Sequence, residues 1–178
     1  MNRFRKAVVA LACLAVALVA PGLAAAATLK PDLAPIGFLV GHWIDGAGAV
    51  ADTGGHSTGA VTITAETGGA VLLSRAHTDL TDAAGKPAGG FDQLLMIYPE
   101  GGTLHADYAD GGHIIHYTSA VVTPGRSVSF MSAVVSNAPA FRLTYDLAAA
   151  DKLKITFGLI PPGGTFQPIA VGTLRRAN

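Results

Sequence analysis

The sequence predicts an all-β chain: one antiparallel up-and-down β-barrel of about 8–10 strands, entered through a short N-terminal helical turn. Three observations predict it. Short segments of alternating apolar and polar residues recur from Thr58 to Arg176. Clusters of Gly, Pro and Asp separate these segments, and such residues close tight turns. No segment between them repeats its apolar residues at helical spacing. Strands in sequence-adjacent hairpins, with no helices between, form a sandwich or a barrel. Regular up-and-down connection favours the barrel, because closure removes free edges.

The elements follow in order. Thr28–Pro35 reads as an extended linker, with Asp32 placed to cap a helical turn through Phe38 whose length Pro35 limits. Gly37–Gly48 holds the only tryptophan. It reads as that turn running into the first strand, with Trp43 plugging the closed end and Gly41, Gly46 and Gly48 letting the backbone bend. His56 falls in a loop. Thr58–Glu66 and Ala70–Leu80 make a hairpin around Thr67-Gly68-Gly69. Thr81–Gly90 is a polar, Gly-rich loop expected at the barrel mouth, and Phe91–Tyr98 a strongly apolar strand. After Pro99–Gly102, Thr103–Ala109 and Gly112–Val122 form a hairpin whose Asp110-Gly111 fits a two-residue type I′ turn. Ser127–Ser136, Ala140–Leu147, Lys152–Ile160 and Gln167–Arg176 complete the strands.

With 178 residues, half of them apolar and 22 glycines, the chain has the makings of one domain with a real core and not of a disordered segment. Met1–Lys6 is a basic n-region and Ala7–Ala20 an apolar h-region, followed by Pro21-Gly22 and small residues. This is the pattern of a secretory leader; the h-region is short and Ala-rich for a membrane span. Residues 1–27 are therefore expected to leave, with cleavage before Ala27 or Thr28, and 28–178 to form the barrel in the periplasm or outside the cell. Cys13 is the only cysteine, and Ala10-Leu11-Ala12 before it is a poor lipobox. A mature chain without cysteine has no disulfide, thiolate nucleophile or thiolate metal site. Loss of Arg3, Arg5 and Lys6 leaves it slightly acidic, and no basic patch of the kind nucleic acid requires is present. A transmembrane barrel fits less well, because most segments are short for spanning strands and poor in aromatics.

The opening motif also carries a resemblance. An apolar run, then Gly-x-Trp, then spaced glycines (Leu39, Gly41, Trp43, Gly46 and Gly48) resembles the start of lipocalin-like (calycin) barrels. The likeness is nearest to nitrobindin-like proteins and uncharacterised secreted bacterial relatives with the same opening. It extends to Gly172-Thr173-Leu174-Arg175-Arg176 as a closing strand. The resemblance implies that Arg175 or Arg176 covers Trp43. It also raises haem, which a histidine from the C-terminal part of the barrel ligates in nitrobindin-like proteins. Here no histidine follows His116; the C-terminal strands offer Tyr145, Phe157 and Gln167 instead. Haem is therefore not carried over, and the spacing of His105, His113 and His116 does not specify it.

Candidate chemistry concentrates on the hairpin at Asp110-Gly111. A two-residue turn sets His105 opposite His116, with Asp107 on the same face. Leu104, Ala106, Tyr108, His113, Ile115 and Tyr117 fall on the other. Two histidines and a carboxylate could bind zinc or copper, or the carboxylate could orient an imidazole as a base; a polar outer face explains the same residues. His77 shares a charged stripe with Arg75 and Asp79. Hydrolase elbows, nucleotide-binding glycine motifs and a glycosidase carboxylate pair are absent.

The expected function is binding of a small apolar or amphipathic molecule inside the barrel. Trp43, Met96, Tyr98, Phe130, Phe141, Tyr145 and Phe157, with Leu94 and Leu143, are the candidate lining. The alternatives are an enzyme or metal site at His105, Asp107 and His116, and an envelope structural or interaction module with a filled barrel.

Overall fold

A computed structural model describes residues 28–50 and 54–177; the expected leader, 1–27, lies outside them. Ten strands form a closed antiparallel barrel: β1 (Gly41–Val50), β2 (Gly55–Glu66), β3 (Val71–Thr81), β4 (Pro87–Glu100), β5 (Thr103–Ala109), β6 (Ile114–Thr123), β7 (Ser127–Ser132), β8 (Ala140–Ala149), β9 (Lys152–Ile160) and β10 (Gln167–Arg176). Each pairs with its sequence neighbours, and β1 pairs with β10 to close the ring.

Alternation sends one residue in two to the core. Val61, Ile63, Leu72, Leu95, Ile97, Leu104, Ala106, Ile115, Tyr117, Val128, Phe130, Leu143, Tyr145, Leu153 and Leu174 form one buried cluster with Trp43. The outer face carries Thr62, Arg75, His77, Asp92, His116, Lys154 and Thr173, all exposed. Apolar inside and charged outside is the inverse of a lipid-facing barrel. No described helix is long and apolar enough to cross a membrane.

A 3-10 helical turn, Ala34–Leu39, covers one end of the barrel. Leu33, Ile36 and Leu39 are buried there. The Lys30 N–H donates to the Gly69 carbonyl at 2.9 Å, and the Pro35 carbonyl accepts from the Gly125 N–H at 2.8 Å. The turn is thus tied to hairpin turns at two places on the rim. Trp43 fills the space beneath it, fully buried, its indole N–H donating to the Leu39 carbonyl at 2.8 Å. Arg176 lies 4.0 Å over the indole ring and donates to the carbonyls of Val40 (2.8 Å) and Phe38 (2.9 Å). Gly41, at φ +143°, lets the chain pass beneath this guanidinium; a Cβ there would lie 2.5 Å from Arg176 Nη1.

The structure corrects several local expectations. Residues 28–35 are not a free linker, because the turn at Pro31–Leu33 feeds directly into the buried helical turn. Leu33, not Asp32, holds the N-cap position, with no side-chain cap. His56 lies within β2, and the loop expected over 81–90 shrinks because β4 begins at Pro87 and pairs with β3. β7 ends at Ser132, before the turn-rich Ser136-Asn137 stretch.

Candidate functional site

The interior carries most of the expected aromatic lining. Trp43 sits at the plugged end, and Phe130, Phe141, Tyr145 and Phe157 turn inward with the core cluster. Phe141 and Phe157 stack with centroids 6.0 Å apart, and Tyr117 tilts against Phe130 at 6.2 Å. Met96, Tyr98 and Leu94 do not join them. Met96 and Leu94 are 38% and 43% exposed on the outer face, and Tyr98 donates there to Asp107 at 3.1 Å. The reason is phase: Leu94-Leu95-Met96-Ile97 is apolar at every position, so alternation cannot say which face is inside. The neighbours decide, with Ile97 between Leu72 and Ala106 and Leu95 between Ser74 and Tyr108.

Gln93 precedes Leu95 on the inner face and enters a polar chain outside the expected lining. Thr78 donates to the Gln93 side-chain oxygen at 3.4 Å, Gln93 Nε2 to the Tyr108 hydroxyl at 3.2 Å, and that hydroxyl to Asp110 at 2.9 Å. Burial pushes the Asp110 carboxyl up, but hydrogen bonds from the Gly112 N–H, the Tyr108 hydroxyl, the His113 N–H and the His113 ring outweigh it and hold Asp110 below its ordinary range. Burial and then Asp110 push Tyr108 well above the usual phenol range; burial, then Tyr145 and Tyr108, do so for Tyr117, and burial and then Tyr108 for Tyr145. These hydroxyls stay protonated and can donate. The signal for them was the period of two on the 103–122 hairpin, which puts Tyr108 and Tyr117 opposite the His/Asp face.

The His/Asp residues occupy the outer face, in a different register. Asp110 accepts from the N–H groups of Gly112 and His113, which makes the turn four residues long. Pairing shifts by two, and a shift of two keeps each side chain on its face. Asp107 therefore faces His116, not Ile114, and lies 2.6 Å from its Nδ1. His105 faces Tyr98 and stacks on it at 5.8 Å, its Nδ1 3.9 Å from Glu100. Among the described residues no group of three or more metal-binding side chains converges. Asp107 can orient His116, but the pair stands on the solvent-facing outer side of the sheet.

His77 makes a comparable exposed pair, 2.7 Å from Asp92 and 3.4 Å from Asp79. Hydrogen bonds to Asp92 and then Asp79 raise its pKa above the ordinary imidazole value. A raised folded pKa stabilises the fold fully below the unfolded value and loses that contribution as pH rises through the folded one. An NMR titration is expected to place His77 above a free imidazole, and Asp92→Asn to move it back further than Asp79→Asn. His42 and His56 are exposed. Among the described residues no histidine ring is turned into the barrel, so the interior supplies no imidazole for a haem iron.

Two hollows lie on the surface of the described residues. β5 and β6 pair only from Ala106 to Ala109. Beyond that point a cleft of about 460 Å³ opens near the plug, lined by Pro35, Glu100, Thr103, Leu104, Ala120 and Val122 among others. A hollow of about 370 Å³ lies beside Arg75, Leu94, Ala109 and Asp110.

Strand closure and the plugged end together define a ten-stranded antiparallel barrel of lipocalin-like architecture. No protein-family model and no curated protein matches the sequence. Among solved structures, Rv2717c from M. tuberculosis is similar, with TM-score 0.59 and 18% identity over 85% of this chain and 100% of that one. A de novo designed fluorescence-activating β-barrel matches at TM-score 0.42 and 14% identity over 83% and 100% of the two chains. The redesigned barrel mFAP1, bound to DFHBI, matches at 0.43 and 12% over 80% and 99%. The likeness to Rv2717c is one of fold.

Proposed function

We propose that this chain is an exported binding barrel that holds a small apolar or amphipathic molecule in its interior, periplasmic or secreted, as its leader-like N-terminus suggests. The observation that carries the reading is the contrast between the two ends. At the plugged end Leu33, Ile36, Leu39 and Trp43 are sealed. Towards the other end Phe91, Gln93, Tyr108, Phe141 and Phe157 are only partly buried. There the facing wall of β10 and β1 carries Ala170, Gly172 and Gly48. A methyl group at Gly172 would lie 3.5 Å from the Ala47 carbonyl and 3.8 Å from Gly48 Cα, and would touch nothing from across the barrel. Small residues opposite aromatic ones leave room for a ligand of modest width. The likeness to nitrobindin-like proteins belongs to this reading for its fold and plug, not for haem.

Native mass spectrometry of the protein purified from the periplasm, with N-terminal sequencing and metal analysis, tests it. An organic mass lost on denaturation is expected, on a chain beginning at Ala27 or Thr28. A stoichiometric metal lost in His105→Ala or His116→Ala would instead favour the hairpin site. A clean apo mass without metal would favour an interaction module. That second reading has its own support in the outer row Leu94–Ala109–Ile114, where Leu94 and Ile114 are exposed.

A further inference from the structure

Tyr117 and Tyr145 are 2% and 6% exposed, yet neither hydroxyl exchanges a hydrogen bond with any described residue. Tyr108 differs, because Gln93 and Asp110 satisfy it from both sides. A buried phenol without a partner is costly unless something completes it. The two hydroxyls are also not sealed. Among the described residues the only side-chain polar atom both closed to water and unpartnered is Arg142 Nε. The Tyr117 and Tyr145 oxygens therefore each border a space that admits at least water. The pairing shows where that space comes from. Tyr145 lies in the cross-strand row Gly48–Gly172–Ile155–Tyr145, whose β1 and β10 positions carry no side chain, and it is near enough to Tyr117 to raise that phenol's pKa. The rings are held by their neighbours: Tyr117 leans on Phe130, and Tyr145 stands between Val128 and Ile155.

The charge around this space selects among ligands. Arg176 is committed to two carbonyls and the indole. Arg142 packs on Phe166 on the outer face, and the remaining described Lys and Arg residues are exposed. Asp110 adds a negative charge at the mouth. A carboxylate entering here would lose its water and meet no cation. An uncharged oxygen with two lone pairs loses little and gains two donors.

Resting on the binding-barrel reading, we propose that the hydroxyls of Tyr117 and Tyr145 form a two-donor site for the carbonyl oxygen of an uncharged amphipathic ligand, whose apolar body lies along Phe130, Phe141 and Phe157. Tyr108, fixed by Gln93 and Asp110, shapes the mouth side of the site without spending its own proton on the ligand.

Three dyes of similar width test it on the intact mature chain: prodan, an uncharged naphthyl ketone whose emission reddens when its carbonyl accepts hydrogen bonds; the corresponding dimethylaminonaphthoate; and the hydrocarbon diphenylhexatriene. The wild type is expected to bind prodan with reddened emission and to bind the naphthoate at least about tenfold more weakly. Tyr117→Phe and Tyr145→Phe each weaken prodan about fivefold, and the double variant loses the reddening. Diphenylhexatriene affinity stays within about twofold throughout. Both variants keep their rings and remove hydroxyls that the protein does not use, so their thermal midpoints stay level or rise. A double variant that binds prodan like the wild type, a naphthoate preference, or a fall of several degrees in midpoint would each overturn the two-donor site. If diphenylhexatriene binds and the ketone gains nothing from the hydroxyls, the barrel reading survives without the site. If none of the dyes binds the wild type, the binding reading itself fails and takes the site with it.

Discussion

Trp43→Ala is expected to cost about 3–5 kcal/mol of folding stability and to lower the thermal midpoint by roughly 10 °C or more. The indole is fully buried under the helical turn, so truncation leaves a cavity that the closed barrel cannot collapse into. It also removes the donor to the Leu39 carbonyl and the surface beneath Arg176. Trp43→Phe separates these contributions. It keeps most of the volume, loses the indole N–H, and is expected to cost about 1–3 kcal/mol. Arg176→Ala is the partner experiment. An ordinary surface arginine would be neutral within about 0.5 kcal/mol. This one joins the last strand to Phe38 and Val40 at the start of the barrel, and its loss is expected to cost about 1–3 kcal/mol. Each residue depends on the other, so the double variant should cost less than the two losses added together. Denaturant unfolding of the four proteins measures the cycle. Additive losses would mean that the guanidinium and the indole are mere neighbours.

The plug shows what could be read from the residues and what could not. A lone tryptophan between glycines and an arginine near the last strand were visible in the sequence, and strand pairing brings them together. Turn clusters marked most strand ends because Gly, Pro and Asp act locally. Thr67-Gly68-Gly69 and Pro124-Gly125 turn the chain regardless of what lies across the barrel. Register and phase are not local. Asp110 accepts from the Gly112 and His113 N–H groups, so a dipeptide suited to a two-residue turn forms a four-residue one. The face of the His/Asp residues was unaffected, and their partners changed. In β4, four consecutive apolar residues conceal the phase, so the pattern offers Met96 and Tyr98 as lining and gives no reason to include Gln93. The period of two sets Tyr117 opposite the His/Asp face but does not say which face points inward, and that its hydroxyl lacks a partner follows only from closure of the ring.

Gly69→Ala is expected to destabilise the fold by about 2–4 kcal/mol, while Gly68→Ala, one residue earlier, is expected to cost only about 1–2 kcal/mol. Both glycines have positive φ, +67° at Gly68 and +80° at Gly69, so both substitutions carry the penalty of a left-handed residue with a Cβ. Their surroundings differ. A Cβ on Gly68 meets nothing within 4 Å, whereas one on Gly69 would fall on the Thr28 carbonyl oxygen and lie 3.0 Å from Leu29 Cα. Those atoms are backbone and cannot rotate aside. The segment that carries them hydrogen-bonds to Gly69 through the Lys30 N–H and leads into Leu33, Ile36 and Leu39 of the plug. Moving it therefore loosens the covered end of the barrel as well as the hairpin turn. The difference between the two variants isolates the tertiary contact from the conformational penalty they share. Amide hydrogen exchange at Lys30 should accelerate in Gly69→Ala and stay near wild type in Gly68→Ala. Equal losses of stability, with Lys30 equally protected in both, would mean that residues 28–30 merely rest on the barrel, and that Trp43 and Arg176 hold the plug without them.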